Sequence, residues 1–232
     1  MPKEKNNKII TIFVRKHIIK IINFAKAKLY TTIILLHNMK LAVATKPTFF
    51  IEEDKIITRL FEEGLDYLFL YKSYPHPQFI ERLLSLIPKK YHKRIFSCNG
   101  RLMQEYNLAG TLFPLASNPP MGTEKGKLVG YAHNLKELKE LRETYDIVCF
   151  GPLGRTFHQS AELNEIGKKM VNKKTWAYGN IDELNFKRLP AYGFGGVVLD
   201  EQLWANFDSC RSTDYTELIN RFKRLKRAID KL

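Results

Sequence analysis

The sequence predicts a single (β/α)8 TIM barrel of the α/β class, preceded by a basic N-terminal extension. Three observations carry this. From Leu41 onward, eight short apolar or β-branched runs alternate with amphipathic stretches. Most of these runs are continuously apolar, as strands buried on both faces of a parallel sheet are. The segment after the first run, Ala44-Thr45-Lys46-Pro47-Thr48, holds no glycine. That argues against a doubly wound open sheet, which needs a Gly-rich first turn.

The expected strands are Leu41–Thr45, Tyr67–Tyr71, Arg94–Cys98, Thr111–Leu115, Leu128–Ala132, Asp146–Phe150, Thr175–Tyr178 and Gly196–Leu199. Helices are expected over Glu52–Gly64, His76–Ile87, Arg101–Asn107, Asn134–Thr144, Ala161–Val171 and Asp182–Leu189. Gly64 is a C-terminal stop, and Leu135, Leu138 and Leu141 form an apolar stripe with Lys and Glu opposite. Residues 116–127 carry Pro, Gly and Lys without a helical period and read as a loop. After the eighth strand, a short turn over Glu201–Phe207 precedes a long last helix. There Asp214 and Glu217 resemble a capping box, and Tyr215, Leu218, Phe222, Leu225 and Ile229 share a face. A short extra helix followed by a closing helix completes the plan of a barrel.

The chain has 232 residues, 44% of them apolar and 12% aromatic, enough to build a full core. Its three cysteines, Cys98, Cys149 and Cys210, form no C-x-x-C pair, which fits a reducing, cytoplasmic compartment without a structural zinc site. The formal charge of +14 is concentrated at the ends. Residues 1–38 carry eight Lys/Arg against one acid, residues 211–232 seven against three, and the middle 23 against 20. The body is nearly neutral, so no nucleic-acid partner is expected.

Residues 1–38 differ in character, being rich in Ile, Lys and Asn. No run reaches the ~18 apolar residues of a spanning helix, and no small-residue cleavage site follows Thr31–Leu36. The interleaving of Ile/Phe with Lys/Arg would suit a helix on an anionic membrane surface. The preferred expectation is that Met39 is the true start, because Met39-Lys40 leads directly into the first strand.

Four strand-end segments then carry a resemblance. They are Asp146-Ile147-Val148-Cys149-Phe150-Gly151-Pro152-Leu153, Ala177-Tyr178-Gly179-Asn180-Ile181-Asp182, Gly193-Phe194-Gly195-Gly196-Val197-Val198, and Gly130-Tyr131-Ala132-His133-Asn134-Leu135-Lys136-Glu137. In this order and spacing, over about residues 39–231, the chain resembles the thiamine phosphate synthase/TenI family. The resemblance implies thiamine biosynthesis, a small phosphorylated thiazole or pyrimidine ligand, and a synthase that uses Mg²⁺ held by carboxylates.

Position by position, the family's synthase machinery is largely missing. Its Arg-x-Lys after strand two becomes Tyr71-Lys72-Ser73, leaving Lys72 as a point charge. The metal-binding Asn-Asp after strand three becomes Cys98-Asn99, and the carboxylate region after strand four becomes Leu112 to Ser117. Thr-x-Thr-Lys after strand six becomes Thr156-Phe157-His158-Gln159, Gly-Gly after strand seven becomes Gly179-Asn180, and the phosphate-accepting hydroxyl after strand eight becomes Asp200 beside Glu201. No cofactor is therefore expected. The expected ligand-binding set is Lys72, Asn99, Thr156, His158, Gly179, Gly196 and Asp200. Asp200 reads either as an N-cap or as a carboxylate that blocks an inherited phosphate site. His133 matches a TenI histidine that tautomerises a thiazole carboxylate phosphate without metal; the competing reading is a histidine held by local bonds at a helix start. Cys98 as a nucleophile lacks a partner base. A non-catalytic binding or regulatory protein on the same barrel is the alternative, and homo-oligomer formation is left open.

Overall fold

The computed structural model describes residues 39–73, 76–113, 126–154, 170–181, 183–208 and 214–232. The expectations for residues 1–38, for Thr156 and His158, for the loop over 116–125 and for most of the helix over Ala161–Val171 lie outside the described residues.

Eight parallel strands close on themselves in chain order: β1 Lys40–Ala44, β2 Tyr67–Leu70, β3 Ile95–Ser97, β4 Gly110–Phe113, β5 Lys127–Ala132, β6 Ile147–Leu153, β7 Thr175–Gly179 and β8 Gly196–Leu199. Closure is made by β1 against β8, with Lys40 opposite Gly196 and Val43 opposite Leu199. The described helices are α1 Glu53–Glu62, α2 Pro77–Leu86, α3 Gly100–Glu105, α4 Leu135–Leu141, α5 Glu183–Phe186, α6 Leu189–Tyr192, α7 Glu201–Trp204 and α8 Thr216–Asp230. The expected barrel is thus the observed one.

Strand parity sorts the side chains into two cores, because successive residues of a strand face opposite sides. The barrel interior holds Ala42, Phe69, Phe96, Leu112, Val129, Ile147, Cys149, Trp176 and Val198. Aromatic rings fill it: Trp176 stacks on Phe69 at 6.0 Å, and Phe96 meets Phe69 edge-on at 5.4 Å. Residues of the other parity, such as Leu41, Val43, Leu68 and Leu70, pack outward against the helices. On α8, Leu218, Ile219, Phe222, Leu225 and Ile229 are buried, as their spacing predicts.

The expected capping box of α8 is corrected, and one element appears that the sequence reading did not name. Asp214 is not the N-cap of α8: Tyr215 holds that position, and Asp214 Oδ1 accepts from Thr216 N–H at 2.9 Å. Glu217 reaches Arg221 rather than closing a box. The α2–β3 connection holds a 3-10 turn, Lys89–Arg94, that apolar periodicity does not reveal. Its anchor is polar. The buried His92 ring places Nδ1 3.1 Å from Tyr106 O, and Nε2 3.1 Å from both Leu84 O and Ile87 O, tying the turn to two helix ends.

Gly196 is a packing residue at the N-terminal end of β8, not a ligand contact at the mouth. A Cβ there would lie 2.6 Å from the Trp176 ring and 2.9 Å from Lys40 O. The bare backbone lets the indole lie across the seam where the barrel closes. Gly196→Ala is therefore expected to lower stability by about 1–3 kcal/mol through overpacking. Gly154→Ala, where nothing among the described residues lies within 4 Å, is expected to leave the denaturant midpoint unchanged.

Candidate active site at the mouth of the barrel

Active sites of such barrels lie at the C-terminal ends of the strands. Here that end opens into a cavity of about 630 Å³. The inward parity of each strand, carried two residues further, sets what faces it. Phe69 is followed by Tyr71, Phe96 by Cys98, Tyr131 by His133, Trp176 by Tyr178 and Val198 by Asp200. Tyr71, Tyr131, His133, Tyr178 and Asp200 line the cavity, with Trp204 of α7 closing one side.

His133 stands one residue beyond β5. Asn134 caps α4 by accepting from Glu137 N–H at 2.9 Å, and Glu137 returns to accept from His133 N–H at 2.7 Å. These bonds fix the backbone and leave the ring free to turn toward the mouth. Its Nδ1 lies 3.2 Å from Gly151 O and 3.0 Å from Tyr178 Oη. A carbonyl oxygen only accepts, so the Gly151 contact calls for a proton on Nδ1, whereas Tyr178 Oη serves either tautomer; with Nδ1 protonated toward Gly151, Nε2 keeps a lone pair. Nε2 has no hydrogen-bond partner among the described residues. The local bonds of the competing reading are present on the His133 backbone, through Glu137, while the ring itself is held by Gly151 and Tyr178 from other strands.

Tyr178 and Tyr131 meet edge-on at 5.2 Å. Burial, with Cys149 and Glu137 as lesser causes, pushes the Tyr178 hydroxyl up to about 12. Tyr131 is raised well above its ordinary value, chiefly by burial. Both phenols stay protonated and can donate. Cys98 is exposed and is not among the residues lining the cavity; desolvation pushes its thiol up to about 11, so it is not a thiolate nucleophile.

Asp200 sits at the start of α7 and makes no side-chain capping bond; its own N–H donates to Gln202 Oε1 at 3.1 Å. Asp200 is the N-cap of α7 by position, its carbonyl accepting from Leu203 N–H at 3.0 Å and Trp204 N–H at 3.3 Å, while its carboxylate lines the cavity. Desolvation, then the neighbouring Glu201, raises Asp200 above its ordinary value. The exposure of its surface and this desolvation are compatible, since the surface it shows faces a walled mouth.

Lys72 and Asn99 do not reach the cavity. Both fall one residue out of the inward phase. The Lys72 side chain is 0% exposed. Its Nζ donates to Glu53 Oε1 at 2.5 Å, Lys46 O at 2.9 Å and Thr48 O at 3.0 Å, and lies 4.7 Å from the Phe49 ring. It clasps the β1–α1 loop to β2 and is not a point charge for a ligand. Burial pulls Lys72 down and Glu53 up to about 7, while each opposes the other's shift. Three acceptors around Nζ match the three protons of an ammonium, so the charged pair is the form the geometry supports. Asn99 caps α3, its Oδ1 accepting from Leu102 N–H at 3.2 Å. Gly179 ends β7 at φ +122°, where a Cβ would strike the Leu153 backbone at 2.4 Å. It shapes the strand end beside Tyr178 and does not line the cavity. Tyr131, Tyr178 and Trp204 were missed as site residues, although counting parity from Val129 and Trp176 would have found the two tyrosines.

Among the described residues, no group of three or more His, Cys, Asp or Glu side chains is placed to hold a metal ion. No described helix is long and apolar enough to cross a membrane.

Two measurements check this geometry. Lys72→Met strands the Glu53 carboxylate in the core and is expected to cost about 3–5 kcal/mol, whereas Glu53→Gln/Lys72→Met loses less than that single change in denaturant unfolding. For Asp200, a raised folded-state value means stability is greatest below the unfolded value and falls as pH rises through the folded one. Asp200→Ser loses no cap bond, so its stability should match or exceed the parent's at pH 7, with that decline removed from thermal melts across pH.

No family model matches the chain, and no curated protein matches it. Solved structures do. The chain is 40% identical to thiamine phosphate pyrophosphorylase from Bacteroides thetaiotaomicron, covering 83% of this chain and 98% of that one, with a TM-score of 0.76. The thiamine phosphate pyrophosphorylase of Pyrococcus furiosus is 16% identical over 85% of this chain and 98% of its own, with a TM-score of 0.64, and shares the fold. So does (S)-3-O-geranylgeranylglyceryl phosphate synthase from Thermoplasma acidophilum, at 14% identity over 86% and 97% and a TM-score of 0.55. By the first of these, the chain belongs to the thiamine phosphate pyrophosphorylase (thiamine phosphate synthase/TenI) family.

Proposed function

We propose that this protein is a TenI-like member of its family. It carries out a metal-independent proton transfer on a small thiazole or pyrimidine ligand, and most of the Mg²⁺ and diphosphate machinery has been replaced. The observation that carries this is His133: its Nδ1 is bound to the Gly151 carbonyl and Tyr178, and its Nε2 has no partner among the described residues, at a walled cavity. A neutral imidazole held in one tautomer is a general base near neutral pH. The adjacent Tyr178 hydroxyl keeps its own proton and can return one to the ligand.

The family implies Mg²⁺ for synthase chemistry, and the donors here do not suit it. Mg²⁺ takes hard oxygen ligands. Where the resemblance places the metal carboxylate, this chain offers the Cys98 thiol, protonated to about 11, and Asn99, whose Oδ1 is committed to Leu102 N–H. Asp200 and Glu201 at the start of α7 repel a phosphate where the family's hydroxyl would accept one. A binding or regulatory protein on the same barrel is the reading these last features favour, and it predicts ligand binding without proton transfer.

The test is isomerisation of a thiazole carboxylate, offered with and without its phosphate, and solvent deuterium entry into it, followed by proton NMR in EDTA. The parent is expected to accelerate exchange, and His133→Gln to lose about 10²–10⁴-fold while still binding the ligand. Exchange that persists in His133→Gln, or that needs added Mg²⁺, contradicts the proposal.

A further inference from the structure

We infer that this protein forms a two-fold dimer through a groove between α1 and α2, on the outside of the barrel. The groove has a volume of about 330 Å³. One wall is the β1–α1 loop, with Phe49, Phe50 and Ile51; the other is α2, with Phe79, Leu83 and Leu86. None of its lining residues lines the mouth cavity. The inference therefore stands apart from the chemistry proposed at His133.

Among the described residues, four large hydrophobic side chains are exposed, and three of them line this groove: Ile51 at 76%, Phe79 at 57% and Leu86 at 55%. A single exposed leucine needs no explanation, but a contiguous apolar group marks a contact surface. On α2, Ile80, Leu83 and Leu84 are buried against the barrel. Phe79 and Leu86, seven residues apart, stand two turns from each other on the flank toward the groove. The Phe49 and Phe79 rings meet at 5.8 Å and join the two walls into one surface. Lys72 holds the loop wall through Thr48 O and the Phe49 ring, so the surface is formed before a partner arrives.

Charge identifies a second copy of this chain as the occupant. The charged residues lining the groove are Glu52, Glu53, Asp54 and Arg82. Glu52 holds Lys55 at 2.6 Å, and Glu53 holds Lys72. Asp54, on the α1 wall, and Arg82, on the α2 wall, have no ion-pair partner among the described residues. One wall thus carries a spare acid and the other a spare base. A two-fold axis along the groove lays the α2 wall of each copy on the α1 wall of its partner. Phe79 and Leu86 then cover the partner's Ile51, and each Arg82 meets the partner's Asp54. That is the self-complementarity an isologous contact requires. A partner of one charge sign would satisfy one of these groups and oppose the other. A membrane would bury both unpaired.

Sedimentation velocity of the full chain, from about 1 to about 200 µM, tests this. A dimer half dissociated on the order of 10 µM is expected, as fits a small contact surface. Phe79→Ser should weaken it about tenfold or more. Arg82→Asp alone sets acid against acid, and Asp54→Arg alone sets base against base, so each should weaken association. Arg82→Asp/Asp54→Arg together rebuild both pairs and should return the affinity to within about threefold of the parent's. Thermal melts show which variants are folded. Should Asp54→Arg loosen the first turn of α1, Phe79→Ser, at an exposed position, still decides the matter. A monomer throughout the range, a dimer indifferent to Phe79→Ser, or a folded charge swap that fails to restore association would overturn the inference. So would a monomer that floats with phosphatidylcholine vesicles and loses that behaviour in Phe79→Ser, which would make the patch a membrane contact.

Discussion

Everything at the mouth depends on the seam where β1 meets β8. Closure fixes the register of Lys40 against Gly196, and that register is available because Gly196 has no side chain to displace the Trp176 indole. With the ring of strands closed, every inward side chain is committed to a layer. The lower layers are filled with Phe69, Phe96, Trp176 and their neighbours. The next inward positions on β2, β5, β7 and β8, namely Tyr71, His133, Tyr178 and Asp200, become walls of the cavity.

Parity also explains which charges work and which do not. A shift of one residue along a strand turns a side chain to the opposite face. Tyr71 faces the mouth and Lys72 faces the helices, where Glu53 and two loop carbonyls hold it. Cys98 continues the inward parity of β3 and Asn99 begins a helix. The family chemistry depends on cations and carboxylates at these strand ends. In this chain the inward positions carry aromatic rings, a thiol, a histidine and a carboxylate, and the surviving lysine is spent on the fold.

The barrel was legible in the sequence because buried parallel strands are unbroken apolar runs, and eight of them could be counted. Strand ends were legible to within a few residues; β6 was the exception, since it continues through Gly151-Pro152 to Leu153, past a pair that reads as a stop. The 3-10 turn was not legible, because its anchor is one buried polar ring, His92, and not an apolar stripe. At the site, His133 and Asp200 could be found from motif positions. Lys72 was misplaced because an offset motif match ignores the strand's alternation. The contacts that define His133 chemically, Gly151 O and Tyr178 Oη, come from β6 and β7, and only the closed barrel brings them to β5.

The central claim is that the Gly151 carbonyl fixes the His133 tautomer and leaves Nε2 as a base. Nitrogen-15 NMR of the histidine-labelled protein at neutral pH tests it directly, because the two ring nitrogens have distinct shifts in each tautomer. The account predicts a protonated Nδ1 and an unprotonated Nε2 at His133. A protonated Nε2 with a bare Nδ1 facing Tyr178 would contradict it.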